Sequence, residues 1–459
     1  MDLALFAVAA LTLIGLLVAF ARQRVSGHRS RIHGQVNGKS IRLHVLNNGR
    51  GMSVAISEYG ATLTSVRVPD RRGEVGEVTL GHDHVDGYVH HYAYLGSTVG
   101  RYANRLRAGR FSIDGQDVQV TQNNNGQHLH GGVHAMHTQV WSAEVLSVSG
   151  ATAVRFTHVS PAGDEGYPGT LTVAVTYTLP HDANELRIDF AGTTDAPTLC
   201  NLTNHAFFNL AGKGDILNHT LTIPAERFIP TDATLIATGE RATVDGTPFD
   251  FRSAHAIGER IGAPHDQLRR GRGYDHCYDL GTDQSMKPSA FVTEESSGRT
   301  LEVLTDAPGL QFYTGNFLTG TVQGRWAKPF AFRQGFCLEP GLFPDSPNQP
   351  AFHRLGYPSG ILRPGERLPS ERELSDRLGV SRPSLREAIA ELQDRGLLAA
   401  KPNAGVFVAD VLGSAFSPAL VGLFSSHEEA VIDYVAFRRD MEALTAERAA
   451  RLGTETDLK

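Results

Sequence analysis

Six short clusters of polar side chains lie inside segments whose other residues are typical of strands or turns. They are found at residues 100–105, 128–132, 201–210, 273–276, 311–316 and 335–340. Each cluster places an imidazole, carboxylate, amide or guanidinium beside aromatic and apolar residues, and buried polar groups need partners or a ligand. Sugars require this mixture, because their hydroxyls bond to Asn, Asp, Arg and His whereas their ring faces pack on Phe or Tyr. The clusters therefore predict a carbohydrate site.

The histidines leave an alternative open. The chain has 20 histidines, and imidazole titrates near neutrality, which suits acid–base chemistry. His128 and His130 are two residues apart, so on a strand they would share a face and could ligate a metal, as in a cupin-like oxygenase. The sequence offers that pair no convincing third ligand. Taken singly, His276 would be structural or exposed, and Asp275 would cap a turn.

Strands must position these clusters over residues 32–366. Short runs of alternating apolar and polar residues recur there, for example at 42–46, 171–177 and 186–190, and Gly, Asn, Asp and Pro separate them. Helical periodicity is scarce, and the chain's 48 glycines suit many tight turns. We expect a mainly β fold, namely one large antiparallel β-sandwich.

The pattern changes after Pro369. A helix is predicted over 370–378, with Ser370 as N-cap and Glu373 completing a capping box. A turn at 379–381 leads to a second helix that ends near residue 395, followed by two short β runs at 397–399 and 406–408. Helix, turn, helix and hairpin are the layout of a small α+β winged helix-turn-helix. A helical tail is predicted over 427–459.

Bulk composition limits the classes of protein that remain. A chain of 459 residues predicts two or more folded units. The formal net charge of -6 leaves no whole-chain basic footprint for nucleic acid. The three cysteines form no C-x-x-C pair, which argues against a disulfide scaffold or a zinc knuckle and favours buried free thiols.

The first 26 residues form a separate segment. No residue from Leu3 to Ala21 is charged, and this length spans a bilayer core. Asp2 precedes the apolar run and several arginines follow it, so the positive-inside rule predicts an uncleaved membrane anchor over 1–26 with the bulk of the chain cytoplasmic. The alternative is an exported chain that is cleaved after Ala21.

The segments LHGG (129–132), NHxxFNL (204–210), GYDH (273–276) and QFYTGN (311–316) occur in this order. As an ordered set they closely resemble the aldose 1-epimerase (mutarotase) family over residues 32–366. The resemblance implies a large antiparallel β-sandwich. It also implies an isomerase that interconverts the α and β anomers of free aldoses such as glucose or galactose. No metal and no organic cofactor is implied.

The resemblance also assigns roles to residues. His205 would be the general acid that protonates the ring oxygen, and Glu339 the general base that takes the proton from the anomeric hydroxyl. The residues that resemble the family's substrate-positioning set are Asn104, Arg105, His130, Asp275 and Gln311. One departure lies beside the base, because Pro340 and Gly341 stand where the family usually carries Thr-Gln. That departure bears on rate and sugar preference more than on reaction type.

Residues 368–374 and 380–388 closely resemble the GntR-type winged-helix regulators of the FadR subgroup. By that resemblance Arg372, Arg382 and Arg386 would contact DNA, although a solvated helix with Glu/Arg pairs is the plain alternative. Segment 361–367 suits both families, so we expect a fusion at that motif. The winged helix-turn-helix at 367–411 would lack its first helix, and 427–459 would be the start of a helical effector domain. A DNA-binding regulator and an inactive fusion product are the alternative functions.

Overall fold

Strands dominate the part of the chain that the structure describes. The structure is a computed structural model, and it describes residues 26–90, 93–325, 328–363, 385–387, 389–390, 398–401 and 405–408. The chain divides into two compact units, Met1–Arg363 and Pro364–Lys459. Each unit is described by itself below.

The first unit is built from short strands and a few helical turns. Its strands are β1 (Gly27–Val36), β2 (Lys39–Asn47), β3 (Ser53–Ser57), β4 (Thr62–Pro69), β5 (Val75–Glu77), β6 (Thr98–Val99), β7 (Arg105–Leu106), β8 (Arg110–Ile113), β9 (Gln116–Gln119), β10 (His128–Leu129), β11 (Ser142–Val148), β12 (Ala151–Ser160), β13 (Leu171–Pro180), β14 (Arg187–Thr194), β15 (Thr198–Leu199), β16 (Thr203–Asn204), β17 (Thr220–Thr222), β18 (Arg227–Ile229), β19 (Ala242–Thr243), β20 (His255–Ala256), β21 (Asp275–Asp279), β22 (Lys287–Thr293), β23 (Thr300–Thr305), β24 (Gly309–Tyr313), β25 (Cys337–Gly341) and β26 (Ile361–Leu362). Its α-helices are α1 (Val85–His90), α2 (Ile257–Arg260), α3 (Asp266–Gly271) and α4 (Pro350–Arg354), and its 3-10 turns are Arg107–Gly109, Met136–Thr138, Asp164–Gly166 and Ser346–Asn348.

The strands pair into four larger sheets and several two-stranded ladders. The larger sheets have the strand orders β1-β2-β3-β4-β5, β11-β12-β13-β14, β20-β17-β22-β23 and β19-β18-β21-β24-β25. Their neighbouring strands run antiparallel throughout. The predicted mainly β, antiparallel fold is confirmed.

Alternation along the strands builds the core. In β13, the side chains of Leu171, Val173, Val175 and Tyr177 are fully buried, while the intervening residues are partly exposed. This period of two is the pattern that a strand needs to bury one face. Buried residues from all four larger sheets pack into one hydrophobic cluster, so the sheets stack face to face as a sandwich. Truncating a buried aromatic in such a core costs about 3–5 kcal/mol.

The ladder of β21, β24 and β25 aligns side chains in a row across its three strands. Cys277 is opposite Gln311, and Gln311 is opposite Glu339. Since directly paired residues of a ladder share a face, these three side chains lie on one side of the sheet. The ladder continues through Pro340, which is opposite Leu310, so the Pro-Gly departure leaves the register around the carboxylate intact.

Parts of the winged helix-turn-helix are described in the second unit. Strands β27 (Leu398–Lys401) and β28 (Gly405–Val408) pair antiparallel, as the sequence predicts for a hairpin. Residues 385–387 and 389–390 are helical, with Leu385 and Ile389 buried and Arg386 exposed. The predicted DNA contacts Arg372 and Arg382, the helix over 370–378 and the tail over 427–459 lie outside the described residues.

The membrane-anchored localisation needs correction. Across the ranges described above, no helix combines the length and the apolar character that crossing a bilayer requires. The predicted membrane-anchored localisation is wrong on this finding. It was inferred from an apolar run and the charges that flank it, and residues 1–25, which include the alternative cleavage point at Ala21, lie outside the described residues.

Candidate active site

His205 and Glu339 converge although 134 positions separate them in the chain. His205 Nε2 lies 3.6 Å from Glu339 Oε1, and the two side chains are 7% and 5% exposed. Glu339 is the central residue of β25, whereas His205 directly follows β16. The His205 N–H donates to the Ser97 carbonyl and the His205 carbonyl accepts from the Gly96 N–H, each at 2.9 Å. These two backbone hydrogen bonds therefore fix the position of the His205 main chain, from which the imidazole projects.

Aromatic rings hold the imidazole of His205. Phe207 and Tyr94 stack against it at centroid distances of 5.1 Å and 5.8 Å, both with interplanar angles of 26°. The ring of His130 meets it edge to face at 5.1 Å. Tyr94 takes a left-handed backbone conformation with φ of 55°, an unfavourable geometry for a bulky residue that is commoner at functional sites.

Carboxylates and an arginine shape the electrostatics. The Gln311 side-chain amide donates a 2.7 Å hydrogen bond to Asp275 Oδ1. Burial raises the pKa of Asp275, and the Arg105 guanidinium opposes that rise. Burial also raises the pKa of Glu339 well above its usual value, reinforced by the Asp275 charge and opposed by Arg105. Arg105 is thus the cation that keeps both carboxylates accessible as anions.

The acid–base pair has pKa values that shift toward each other. Burial lowers the pKa of His205 to about 4 and raises that of Glu339. A neutral imidazole beside a neutral carboxyl is a tautomer of an imidazolium beside a carboxylate, so the pair titrates as one unit. Burial disfavours the charged form of each group, so a proton moves from the imidazolium to the carboxylate more readily than it would in water, which suits partners that must exchange donor and acceptor roles.

His130 is locked to Asn104 by two hydrogen bonds. The His130 N–H donates to the Asn104 carbonyl at 3.0 Å, and the Asn104 N–H donates to His130 Nδ1 at 3.2 Å. Burial lowers the pKa of His130 well below its usual value, so the ring is neutral. Since Nδ1 accepts, Nε2 carries the proton and is a hydrogen-bond donor.

The same geometry bears on metal binding. Ligand atoms of His130, His205 and Glu339 lie within 4.8 Å of one another. A metal-bound imidazole donates its second N–H to an acceptor, yet Nδ1 of His130 faces the Asn104 N–H donor. A metal at Nε2 would leave two donors opposed, so this trio fits a metal poorly.

The alternative of a His128–His130 metal pair is wrong for a separate reason. His128 Nδ1 contacts the Thr121 carbonyl and its Nε2 contacts the Tyr167 hydroxyl, each at 2.6 Å. Strand β10 ends at Leu129, and His130 has φ of 51°. The two imidazoles therefore do not follow the alternation of one strand face, and both nitrogens of His128 are engaged.

A cleft lies beside Glu339, and its roughly 260 Å³ of empty space includes open solvent. The residues that line it are Ala103, Asn104, Asn201, Thr203, Cys277, Gln311, Glu339, Pro340, Gly341, Leu342 and Pro344. Two buried atoms on this lining, Gln311 Oε1 and Thr203 Oγ1, lack a hydrogen-bond partner among the described residues. Unsatisfied buried polar atoms are costly, and ligand hydroxyls would satisfy them. A cleft lined by these polar atoms suits a small polar molecule.

The seven residues predicted from the sequence come from six separate stretches of backbone and meet in one region. Asn104, Gln311 and Glu339 share the cleft lining, Asp275 bonds to Gln311, and His130 packs on His205, while Arg105 acts on the carboxylates. The sequence prediction missed Tyr94, Phe207, Thr203 and Cys337. For Phe207, Thr203 and Cys337 a signal existed, because each stands two positions from His205 or Glu339. For Tyr94 there was none, since a loop places it.

This antiparallel β-sandwich places a buried imidazole beside a buried carboxylate that lines a cleft, with amides and aromatic rings around them. Together the fold and the site define a galactose mutarotase-like protein. The sequence profile described as aldose 1-epimerase matches residues 42–375. The chain belongs to the aldose 1-epimerase family, and it is an isomerase that acts at the anomeric carbon of free aldoses.

Known relatives agree with that assignment. The chain is 43% identical over 317 residues to galactose mutarotase from Rattus norvegicus, covering 69% of this chain and 88% of the relative. It is 39% identical over 339 residues to aldose 1-epimerase from Escherichia coli strain K12, covering 73% and 95%. Galactose 1-epimerase from Lactobacillus acidophilus NCFM superposes with a TM-score of 0.65 at 28% identity, covering 74% of this chain and 95% of that one.

A second profile, described as bacterial regulatory proteins of the gntR family, matches residues 358–408. It overlaps the first match over 358–375, the stretch that contains the segment common to both families. The fusion of an epimerase with a GntR-type segment is therefore confirmed at the level of family architecture.

Proposed function

We propose that this isomerase interconverts the α and β anomers of a free aldohexose, such as glucose or galactose, with Glu339 as general base and His205 as general acid. The observation that carries the proposal is the 3.6 Å approach of His205 Nε2 to Glu339 Oε1 within one buried site. Ring opening needs one proton acceptor and one proton donor in reach of the same pyranose.

The reaction runs in two mirrored halves. Glu339 takes the proton from the anomeric hydroxyl, the bond between C1 and the ring oxygen breaks, and His205 gives its Nε2 proton to the ring oxygen. Rotation about the C1–C2 bond then exposes the other face of the open-chain aldehyde. In the second half Glu339 returns its proton to the aldehyde oxygen while His205 withdraws the proton from the attacking hydroxyl, and the opposite anomer forms.

The neighbouring residues orient the sugar. The His130 Nε2–H is a donor to a sugar oxygen, and the Gln311 Oε1 atom is an acceptor for a sugar hydroxyl. Asp275 is held by Gln311 and accepts a second hydroxyl, Asn104 lines the cleft, and Arg105 acts on the two carboxylates by its charge. Such positioning holds the anomeric carbon between the two proton-transfer groups.

The test is the change in optical rotation of freshly dissolved α-glucose and α-galactose. We expect wild-type protein to accelerate the change relative to the uncatalysed background, and Glu339→Gln and His205→Asn each to lower the catalysed rate about 10²- to 10⁴-fold. Glu302→Gln, a carboxylate-to-amide change on the exposed side of β23, should keep the wild-type rate. A Glu339→Gln protein that is folded by circular dichroism and fully active would refute the roles.

We propose DNA binding by the winged helix-turn-helix, over the predicted limits 367–411, as a second function. The supporting observation is that Leu385 and Ile389 are buried at helical spacing while Arg386 is exposed, which leaves a cation on the outer face of the helix. Arg372 and Arg382 would join Arg386 at phosphates and base edges. A gel shift against random duplex measured over a salt series tests this, since Arg386→Gln should lower the salt slope by about 1. No retardation of the wild-type chain at low salt would end the proposal.

A further inference from the structure

Cys337 contacts the proposed acid on the side away from the base. Its Sγ lies 3.5 Å from His205 Nδ1, while His205 Nε2 faces Glu339. Cys337 and Glu339 are two positions apart on β25, so both side chains project from the same face of the strand. One strand thus supplies the neighbours of both imidazole nitrogens.

The stacked rings make this contact decisive for proton placement. Phe207 and Tyr94 pack against the imidazole with nearly parallel planes, which restrains its tilt and rotation. Among the described residues, the neighbouring side chains that meet the ring nitrogens are then a thiol at Nδ1 and a carboxyl oxygen at Nε2, while the ring also bonds to its own backbone. In a neutral imidazole, the nitrogen that carries the proton is decided by the hydrogen bond at the other one.

We propose that Cys337 is a positioning residue whose neutral thiol accepts the His205 Nδ1–H and so keeps Nε2 as the nitrogen that exchanges protons with substrate. The inference rests on the proposed role of His205 as the acid. When the imidazolium gives its Nε2 proton to the ring oxygen, the Nδ1–H stays bonded to Sγ. The thiol keeps its own proton throughout, and the Nε2 lone pair is ready for the return step.

A thiol differs from a carboxylate in this position. A carboxylate hydrogen-bonded to Nδ1 stabilises the imidazolium and makes it a weaker acid. Sulfur in a thiol is a weak, uncharged acceptor, so the imidazolium stays acidic. Burial raises the pKa of Cys337 well above its usual value, with the charges of Glu339 and Asp275 adding to the rise, which keeps the thiol protonated. Burial in turn keeps the pKa of His205 low, at about 4.

Other titratable groups around His205 must be included in any measurement of its protonation. Those in contact with it or acting on its close neighbours are Glu339, Cys337, His130, His137, Tyr94, Tyr313, Asp275 and Arg105. The variants below change only Cys337 among these groups, so a difference in kcat or in the His205 tautomer between them reports the effect of the Nδ1 partner.

The experiment compares full-length Cys337→Ala, Cys337→Ser and wild type by mutarotation of α-galactose from pH 5 to 9. Cys337→Ala removes the acceptor, and we expect kcat to fall about fivefold, the worth of one neutral hydrogen bond, with KM unchanged. Cys337→Ser keeps a neutral acceptor at Nδ1 and should restore kcat to within about twofold of wild type. Long-range nitrogen NMR of the histidine rings reads the tautomer directly. We expect the Nδ1–H form of His205 in wild type and Cys337→Ser, and its loss in Cys337→Ala.

Cys200→Ala is the matched control, because Cys200 is a half-buried free cysteine outside the site, and it should leave kcat unchanged. Equal kcat and an equal His205 tautomer in Cys337→Ala and wild type would overturn the inference, and so would equal losses of kcat in Cys337→Ala and Cys337→Ser. His205→Asn, measured alongside, separates the two proposals. An active His205→Asn protein refutes the acid role itself, whereas an inactive one with an unaffected Cys337→Ala refutes only the role of the thiol.

Discussion

The backbone N–H of His130 donates to the Asn104 carbonyl, and the backbone N–H of Asn104 donates to His130 Nδ1. Because Nδ1 accepts a hydrogen bond, the proton of the His130 ring is on Nε2. Both residues have positive φ, at 51° and 63°. This backbone geometry is unfavourable for residues other than glycine, and here it turns an imidazole edge toward His205. The backbone conformation of this pair therefore determines which nitrogen of the His130 ring carries the proton.

Replacing His130 with alanine removes that donor from the site. We expect kcat/KM for mutarotation to fall about tenfold, because a neutral hydrogen bond to a sugar oxygen is lost. Polarimetry over a range of sugar concentrations measures the change. His134→Ala, an exposed imidazole in the same segment, should behave as wild type. A His130→Ala enzyme with unchanged kcat/KM would mean that Nε2 makes no contact with substrate.

Chelation of divalent metals should leave activity intact. The Asn104 N–H opposes a metal-bound tautomer of His130, and the proposed chemistry needs only proton transfer. After dialysis against EDTA we expect kcat/KM to stay within about twofold of the starting value, a change too small to reflect the loss of a catalytic group. Loss of activity on dialysis that returns with added Zn²⁺ would contradict this expectation.

Arg105→Gln should move the pH profile. The guanidinium opposes the rise in the pKa of Glu339, so without it that pKa climbs further and the carboxylate forms only at higher pH. We expect the acid limb of kcat/KM to shift to higher pH. Below the shifted pKa, activity should fall about tenfold for each pKa unit by which Glu339 rises. Arg110→Gln, an exposed arginine on β8, serves as control, and an unshifted limb in Arg105→Gln would count against the electrostatic role.

Stability should fall as pH falls below the usual histidine range. Burial lowers the pKa of His33 from 6.5 to about 4, so between these values the unfolded chain binds a proton that the folded chain excludes. The free energy of unfolding then falls by about 1 kcal/mol for each pH unit from this residue. His33→Gln should show a slope shallower by that amount in urea unfolding at pH 6.5, 5.5 and 5. The exposed His134→Gln should leave the slope as in wild type, and equal slopes in all three proteins would refute the assignment.

The sequence patterns correctly predicted features that depend on neighbouring residues in the chain, such as the alternation along a strand. The alternation at 171–177 is realised in β13, and the polar clusters that contain His205 and Glu339 do meet. What they could not supply was tertiary placement. The stacking of Tyr94 on His205 depends on a loop with a left-handed residue, and the failure of the His128–His130 pair depends on a strand that ends at Leu129. Periodicity carries no signal for either. The membrane-anchored localisation failed because it was inferred from an apolar run and its flanking charges, and no helix among the described residues supports it.

The proposed acid and base stand on two pieces of backbone that are joined by a pair of hydrogen bonds between Phe208 and Phe336. Asp275, Gln311 and Glu339 belong to one three-strand ladder, whereas His205 is tied to the segment at Gly96 and Ser97. The side chains of the two pieces also touch, at His205 with Glu339 and with Cys337. Laboratory evolution of this enzyme toward a different sugar should therefore vary both pieces together in one library, because the effects of mutations at contacting residues do not add.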